Sequence, residues 1–101
     1  MKIIYEVTLN IDKEIADEYD AWLSEHVTEM LALPGFVNAE AFTIENNEKS
    51  PEKISRVVHY RLENREAFDA YLRNHAERMR NEGHARFGNR VTASRRILKS
   101  I

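Results

Sequence analysis

From Ile3 to Ile11 the chain alternates strictly. Ile3, Tyr5, Val7, Leu9 and Ile11 fall on one side, and Ile4, Glu6, Thr8 and Asn10 on the other. Period two in β-branched and aromatic residues predicts a half-buried strand. Asp12 follows as a helix N-cap, with Glu14 in the first turn, where the helix dipole favours an acid. From Glu14 to Leu33 the period lengthens. Ile15, Tyr19, Trp22, Leu23, His26, Val27, Met30 and Leu31 recur at three- and four-residue steps, the stripe of an amphipathic helix. Pro34-Gly35 ends it, because proline cannot continue the ladder and glycine accepts a left-handed turn.

Phe36 to Ile44 reads as a second strand, and Glu45 to Lys53, with no apolar side chain for a core, as an exposed hairpin loop. Ile54 to Leu62 is a third strand, with Val58, Tyr60 and Leu62 opposite Val57, His59 and Arg61. Asn64 caps a second helix whose stripe is Phe68, Tyr71, Leu72, His75, Ala76 and Met79; Gly83 is expected to break it. Arg90 to Leu98 closes the chain as a fourth strand.

Strand, helix, strand, strand, helix, strand is the split βαβ order. The expectation is one domain over residues 1–101, α+β and ferredoxin-like (βαββαβ): a four-stranded antiparallel sheet with two helices on one face. The helices echo each other. Tyr19-Asp20-Ala21-Trp22-Leu23, His26 and Met30 match Phe68-Asp69-Ala70-Tyr71-Leu72, His75 and Met79 at a constant offset. A pseudo-two-fold fold would leave such an echo, and so would two helices converging on one sheet.

If the helices cover the apolar side of the first strand, the other side stays open. Parity puts Ile4, Glu6, Thr8, Val57, His59, Arg61, Thr92, Ser94, Arg96 and Leu98 there, with Phe36, Asn38, Glu40, Phe42 and Ile44 from the second strand. That last set inverts with a slip of one residue. Exposed apolar area beyond roughly 300–600 Å² usually marks an interaction surface. A homodimer pairing these faces, a dimeric α/β barrel, is therefore expected.

Composition narrows the partners. A chain of 101 residues with 43% hydrophobic and 32% charged residues suits a small globular domain. A net charge of -2 gives no basic field for nucleic acid. With no cysteine, disulfides, thiolate zinc sites and cysteine nucleophiles are excluded. No run approaches the ~18–20 apolar residues of a membrane span, and the alternating N-terminus does not read as a signal peptide. No nucleic-acid or membrane partner is expected, and a cytoplasmic location is.

Candidate chemistry is sparse. Glu6 and His59 sit mid-strand on neighbouring strands, and a carboxylate beside an imidazole in a dry cavity can act as base and proton carrier. They are the catalytic candidates. Thr8, Arg61, Ser94 and Arg96 share their face as ligand-binding candidates, the arginines as bidentate anion holders. A structural ion-pair network fixing dimer register uses the same groups equally well. His26 and His75, at matching places on the helical stripes, are further ligand-binding candidates. Neither has zincin spacing, so no metal site is expected. Tyr5, Trp22, Tyr60 and Tyr71 suggest an aromatic core. Gly35, Gly83 and Gly88 are isolated and form no phosphate-cradling loop, and no cofactor is expected.

Three stretches carry a resemblance: Ile3 to Thr8, Glu25-His26-Val27-Thr28-Glu29-Met30-Leu31 running into Pro34-Gly35-Phe36, and Arg86-Phe87-Gly88-Asn89-Arg90 followed by Ala93 to Leu98. Together they resemble a family of short bacterial proteins known only as a domain of unknown function. More distantly, the helical histidine followed by Pro-Gly is similar to the dimeric α/β-barrel superfamily, which includes antibiotic-biosynthesis monooxygenases and stress-responsive A/B barrel proteins. That resemblance implies the fold and the dimer, not one chemistry. Haem-degrading members pair a helical histidine with a strand tryptophan; here the only tryptophan, Trp22, is helical, which argues against haem. Two functions follow as expectations. One is a small-molecule site in the barrel between sheet and helices, for binding or for cofactor-independent acid–base or oxygenase-type chemistry. The alternative is a non-catalytic dimerisation or interaction module.

Overall fold

The structure, a computed structural model, describes residues 1–45 and 52–101. Strand β1 (Ile3–Asp12) leads through a short 3-10 turn (Lys13–Ile15) into helix α1 (Ala16–Leu31). Strands β2 (Phe36–Thr43) and β3 (Lys53–Leu62) follow, then helices α2 (Arg65–Asn74) and α3 (Ala76–Phe87), and strand β4 (Val91–Lys99). Most of the expected hairpin loop, residues 46–51, lies outside the described residues.

The four strands form one antiparallel sheet in the order β2-β3-β1-β4, the ferredoxin-like arrangement. Tyr5 pairs with Tyr60 and with Ile97 across the central strands. The alternation of β1 sends Ile3, Tyr5, Val7, Leu9 and Ile11 into the core. There they meet Tyr19, Leu23 and Met30 of α1, Phe68 and Tyr71 of α2, and Met79 and Phe87 of α3. Ring contacts of Tyr5 with Phe68 (5.1 Å) and Tyr71 (5.8 Å) fix α2 on that side. Arg56 of β3 donates to both carboxylate oxygens of Asp20, tying α1 over the same side. The helices thus share one face, as the alternation predicts.

Three local expectations need correction. Asp12 caps nothing: its carboxylate takes Lys53 at 2.5 Å and Arg90 at 3.5 Å instead. Asn64, by contrast, accepts the Ala67 N–H at 2.8 Å as an N-cap should. The second helical run does not break at Gly83. It breaks at His75, whose φ of -134° interrupts the helix, and α3 then continues through Gly83 to Phe87. Glycine is there for closeness: a Cβ would lie 2.9 Å from the Trp22 ring. Finally, a bulge at Val37 separates Phe36 from the rest of β2. Phe36 turns into the core opposite Leu62, while Asn38, Glu40 and Phe42 keep to the open side opposite Arg61, His59 and Val57. One extra residue inverts parity within a strand.

At the end of α1, Gly35 adopts φ +85° and its α-carbon lies against Ala67, where a Cβ would approach to 2.4 Å. Positive φ and close approach both demand glycine.

Candidate functional site

Two polar assemblies occupy opposite sides of the sheet. On the open side, strand register lines up Glu40, His59, Glu6 and Arg96 in one row across all four strands. Glu6 is its hub. Its Oε1 accepts from Arg96 Nε, and its Oε2 faces His59 Nε2 at 2.7 Å. The carboxylate is buried, although the Arg96 side chain is 70% exposed. The Arg96 hydrogen bond is the main influence holding Glu6 below its usual 4.5; His59 adds to it and burial opposes it. Phe42 sets its ring edge-on to His59, 5.5 Å between centroids. The rows on either side are Asn38, Arg61, Ile4 and Leu98, and Phe42, Val57, Thr8 and Ser94. The register thus brings Glu6, His59 and Arg96 into contact, with Thr8, Ser94 and Arg61 in adjoining rows.

Under the helices lies a cavity of about 390 Å³. Its floor is the core side of the sheet (Tyr5, Val7, Leu9, Val58, Tyr60), and its roof comes from α1 and α3 (Tyr19, Trp22, His26, Met79, Gly83). Arg80, Asn81, His84, Ala93 and Arg95 complete the wall. Ala93 and Arg95 pair with Leu9 and Val7, so they face the helix side, yet they remain exposed; the cavity opens towards the β4 edge. The lining holds aromatic rings and cationic or imidazole groups, and among the described residues no carboxylate.

Burial sets the protonation of this wall. Desolvation pushes the Tyr19 phenol up to about 12 and raises Tyr60 and Tyr71 further, keeping all three neutral. Arg80 donates to the Tyr5 hydroxyl at 3.2 Å. His26 stacks on Trp22 (4.6 Å, 17°), and burial lowers its pKa, favouring the neutral imidazole. Its Nδ1 is buried without a hydrogen-bond partner among the described residues.

Of the candidate catalytic and ligand-binding residues named from the sequence, His26 alone lines this cavity. Glu6, His59, Thr8, Arg61, Ser94 and Arg96 lie beyond the sheet from it. His75 sits at the helix break beside a shallow outer depression, with Nδ1 3.4 Å from Arg78. Arg80, His84 and Arg95 were not anticipated as site residues. Arg95 carried a signal, since its parity on the fourth strand matches Val7 on the first.

The family described as Domain of unknown function (DUF4286) matches residues 2–101, and the chain belongs to it. No curated protein matches the chain. Solved structures share its fold. SnoaB, a cofactor-independent oxygenase from Streptomyces nogalater, is 13% identical with TM-score 0.67, over 100% of this chain and 95% of that one. A candidate antibiotic biosynthesis monooxygenase from Deinococcus radiodurans is 13% identical with TM-score 0.71, over 97% and 91%. A dimeric ferredoxin-like protein from an uncultured marine organism is 14% identical with TM-score 0.65, over 99% and 95%. At these identities the likeness is one of fold, the ferredoxin-like fold that these structures share with the chain.

Proposed function

We propose that this member of the DUF4286 family binds a small, aromatic, anionic organic molecule in the cavity between sheet and helices. The observation that carries this reading is the lining: about 390 Å³ walled by aromatic rings, with Arg80 and Arg95 and no carboxylate. That volume falls within the range of ligand sites, and mostly apolar walls with a few convergent polar groups are their usual character. A planar ring would stack among Tyr19, Trp22 and Tyr60, and its acidic group would meet the exposed Arg95 at the mouth. Cofactor-independent chemistry of the kind named for SnoaB fits such a site, whose wall includes the neutral His26 imidazole.

The same reading includes a homodimer through the open sheet face. Phe42 and Ile44 are 45% and 43% exposed there, beside half-buried Ile4, Val57 and Leu98. The central row carries Glu40 at one edge and Arg96 at the other. A two-fold contact lets the acidic edge of one copy meet the basic edge of the second, as isologous interfaces require. In this assembly Glu6 and His59 set the register of the interface instead of performing catalysis.

Trp22, the chain's single tryptophan, lines the cavity and reports on it. Titration with a panel of aromatic carboxylates and phenols, in a buffer containing chelator, is expected to quench its fluorescence saturably and raise the melting temperature. Arg95→Ala is expected to weaken that binding, and Arg96→Ala, on the other face, to leave it unchanged. If no panel member perturbs Trp22, or if both variants bind alike, the reading fails.

A further inference from the structure

We infer that His26, Glu29 and Glu82 form a binding site for one divalent transition-metal cation where α1 packs against α3. His26 and Glu29 are three residues apart on α1, on one helical face. Glu82 comes from α3, beside Gly83, whose lack of a side chain lets α3 lie against the Trp22 ring. One ligand atom from each residue lies within 4.8 Å of the other two.

Two features of the cluster call for a cation. The carboxylates of Glu29 and Glu82 approach each other from separate helices, and among the described residues neither has an ion-pair partner from Lys or Arg. Unneutralised, such a pair repels. The His26 imidazole grouped with them has a buried Nδ1 with no hydrogen-bond partner among the described residues, a costly state for a polar atom. Burial also favours its neutral form, the form that ligates a metal. A single cation satisfies all three groups.

The geometry needs little adjustment. Ligand atoms about 2.1 Å from a tetrahedral zinc are about 3.4 Å apart. Glu29 and Glu82 are both exposed, so rotation of their side chains closes the remaining gap. A mixed imidazole and carboxylate set suits zinc, manganese or ferrous iron, whereas magnesium and calcium prefer oxygen alone. Three protein ligands leave a coordination position free. His26 also belongs to the cavity wall, so that position lies at the edge of the proposed organic site.

The test uses the full chain freed of metal by chelator and titrated with Zn²⁺ alone, with no organic ligand present, so its failure is separable from that of the cavity reading. Calorimetry should give one Zn²⁺ per chain. Glu82→Gln and Glu29→Gln, at exposed positions, should keep the circular dichroism spectrum and weaken binding at least about tenfold, the low end of losses seen for outer-shell partners. Glu66→Gln, exposed on α2 and outside the cluster, should bind like the parent chain. Trp22, stacked 4.6 Å from His26, supplies a second readout. Co²⁺ should quench its fluorescence with the affinity that calorimetry gives for Co²⁺, and Glu82→Gln should weaken both readouts together. The inference is overturned if Zn²⁺ does not bind, if Glu82→Gln binds it as tightly as the parent, or if Glu66→Gln removes binding.

Discussion

One sheet supplies two faces from the same four strands, and alternation gives them opposite chemistry. The covered face sends Tyr5, Val7, Leu9, Val58, Tyr60 and Leu62 against the helices, and all six are buried. The open face concentrates its charge in one row and leaves Phe42 and Ile44 in solvent. Burial alone does not separate the two. Glu6, on the open face, is as hidden as many core residues, because Arg96 and His59 close over it. The difference lies in how polar groups are satisfied. On the open face the central carboxylate is saturated by its neighbours. On the covered face a His26 nitrogen without a hydrogen-bond partner among the described residues, together with the cationic rim, leaves bonding capacity unused. A site that recognises something needs such spare capacity, and that is why the ligand reading belongs under the helices.

The sharpest break in the comparison comes from the covered face. Leu62 is 1% exposed and packs in the core, so Leu62→Ala removes buried contacts and leaves a void. The expected loss is about 2–5 kcal/mol, seen as a lower urea midpoint with an unchanged slope. A loss below about 1 kcal/mol would mean that this face is not the core.

Much of this division was legible in the sequence, and the exceptions have physical causes. The alternation of Ile3 to Ile11 and the helical stripe from Ile15 to Met30 each carry their own period, so element type and buried side followed directly. Phe36 was misplaced because a bulge at Val37 has no signature in the sequence pattern. Gly83 was misread as a stop because propensity is local, whereas the reason for glycine there is a ring from another helix. The cavity was hardest to see. Its wall joins Trp22, Arg80, His84 and Arg95 from three elements, and no spacing along the chain reveals that they meet. Glu29 and Glu82 escaped for the same reason.

Next in size is Glu6→Gln. It keeps the shape of the hub and removes its charge, leaving Arg96 and His59 without their carboxylate. Hydrogen bonds to charged groups contribute about 1.5–3 kcal/mol, and the exposure of Arg96 sets the expectation near the lower end. Urea unfolding measures it, and a neutral result would mark the row as decorative. The pH dependence sharpens the same point. Because the folded Glu6 carboxyl lies below its usual 4.5, its contribution is fully present above that value. It is lost as pH falls through the lower folded value. The stability difference between the parent chain and Glu6→Gln should therefore shrink on acidification below about pH 4.5; a difference that stays constant down to pH 2 would contradict the assignment.

The smallest effect on the protomer is expected at Phe42, and it tests what the open face is for. Its ring touches His59 at the sheet edge and is 45% exposed, so Phe42→Ser should change protomer stability by no more than about 0.5 kcal/mol. If the open faces pair, the same ring becomes part of an interface, where aromatic anchors carry much of the binding energy. The self-association constant should then weaken by about tenfold or more, equivalent to about 1.4 kcal/mol. Sedimentation velocity over a concentration series reads both the parent chain and the variant. A parent chain that stays monomeric at every concentration removes the dimer, and a dimer indifferent to Phe42→Ser moves its interface elsewhere. The covered face answers to urea and the open face to dilution, and only a residue such as Phe42, nearly silent in the first assay, isolates the second.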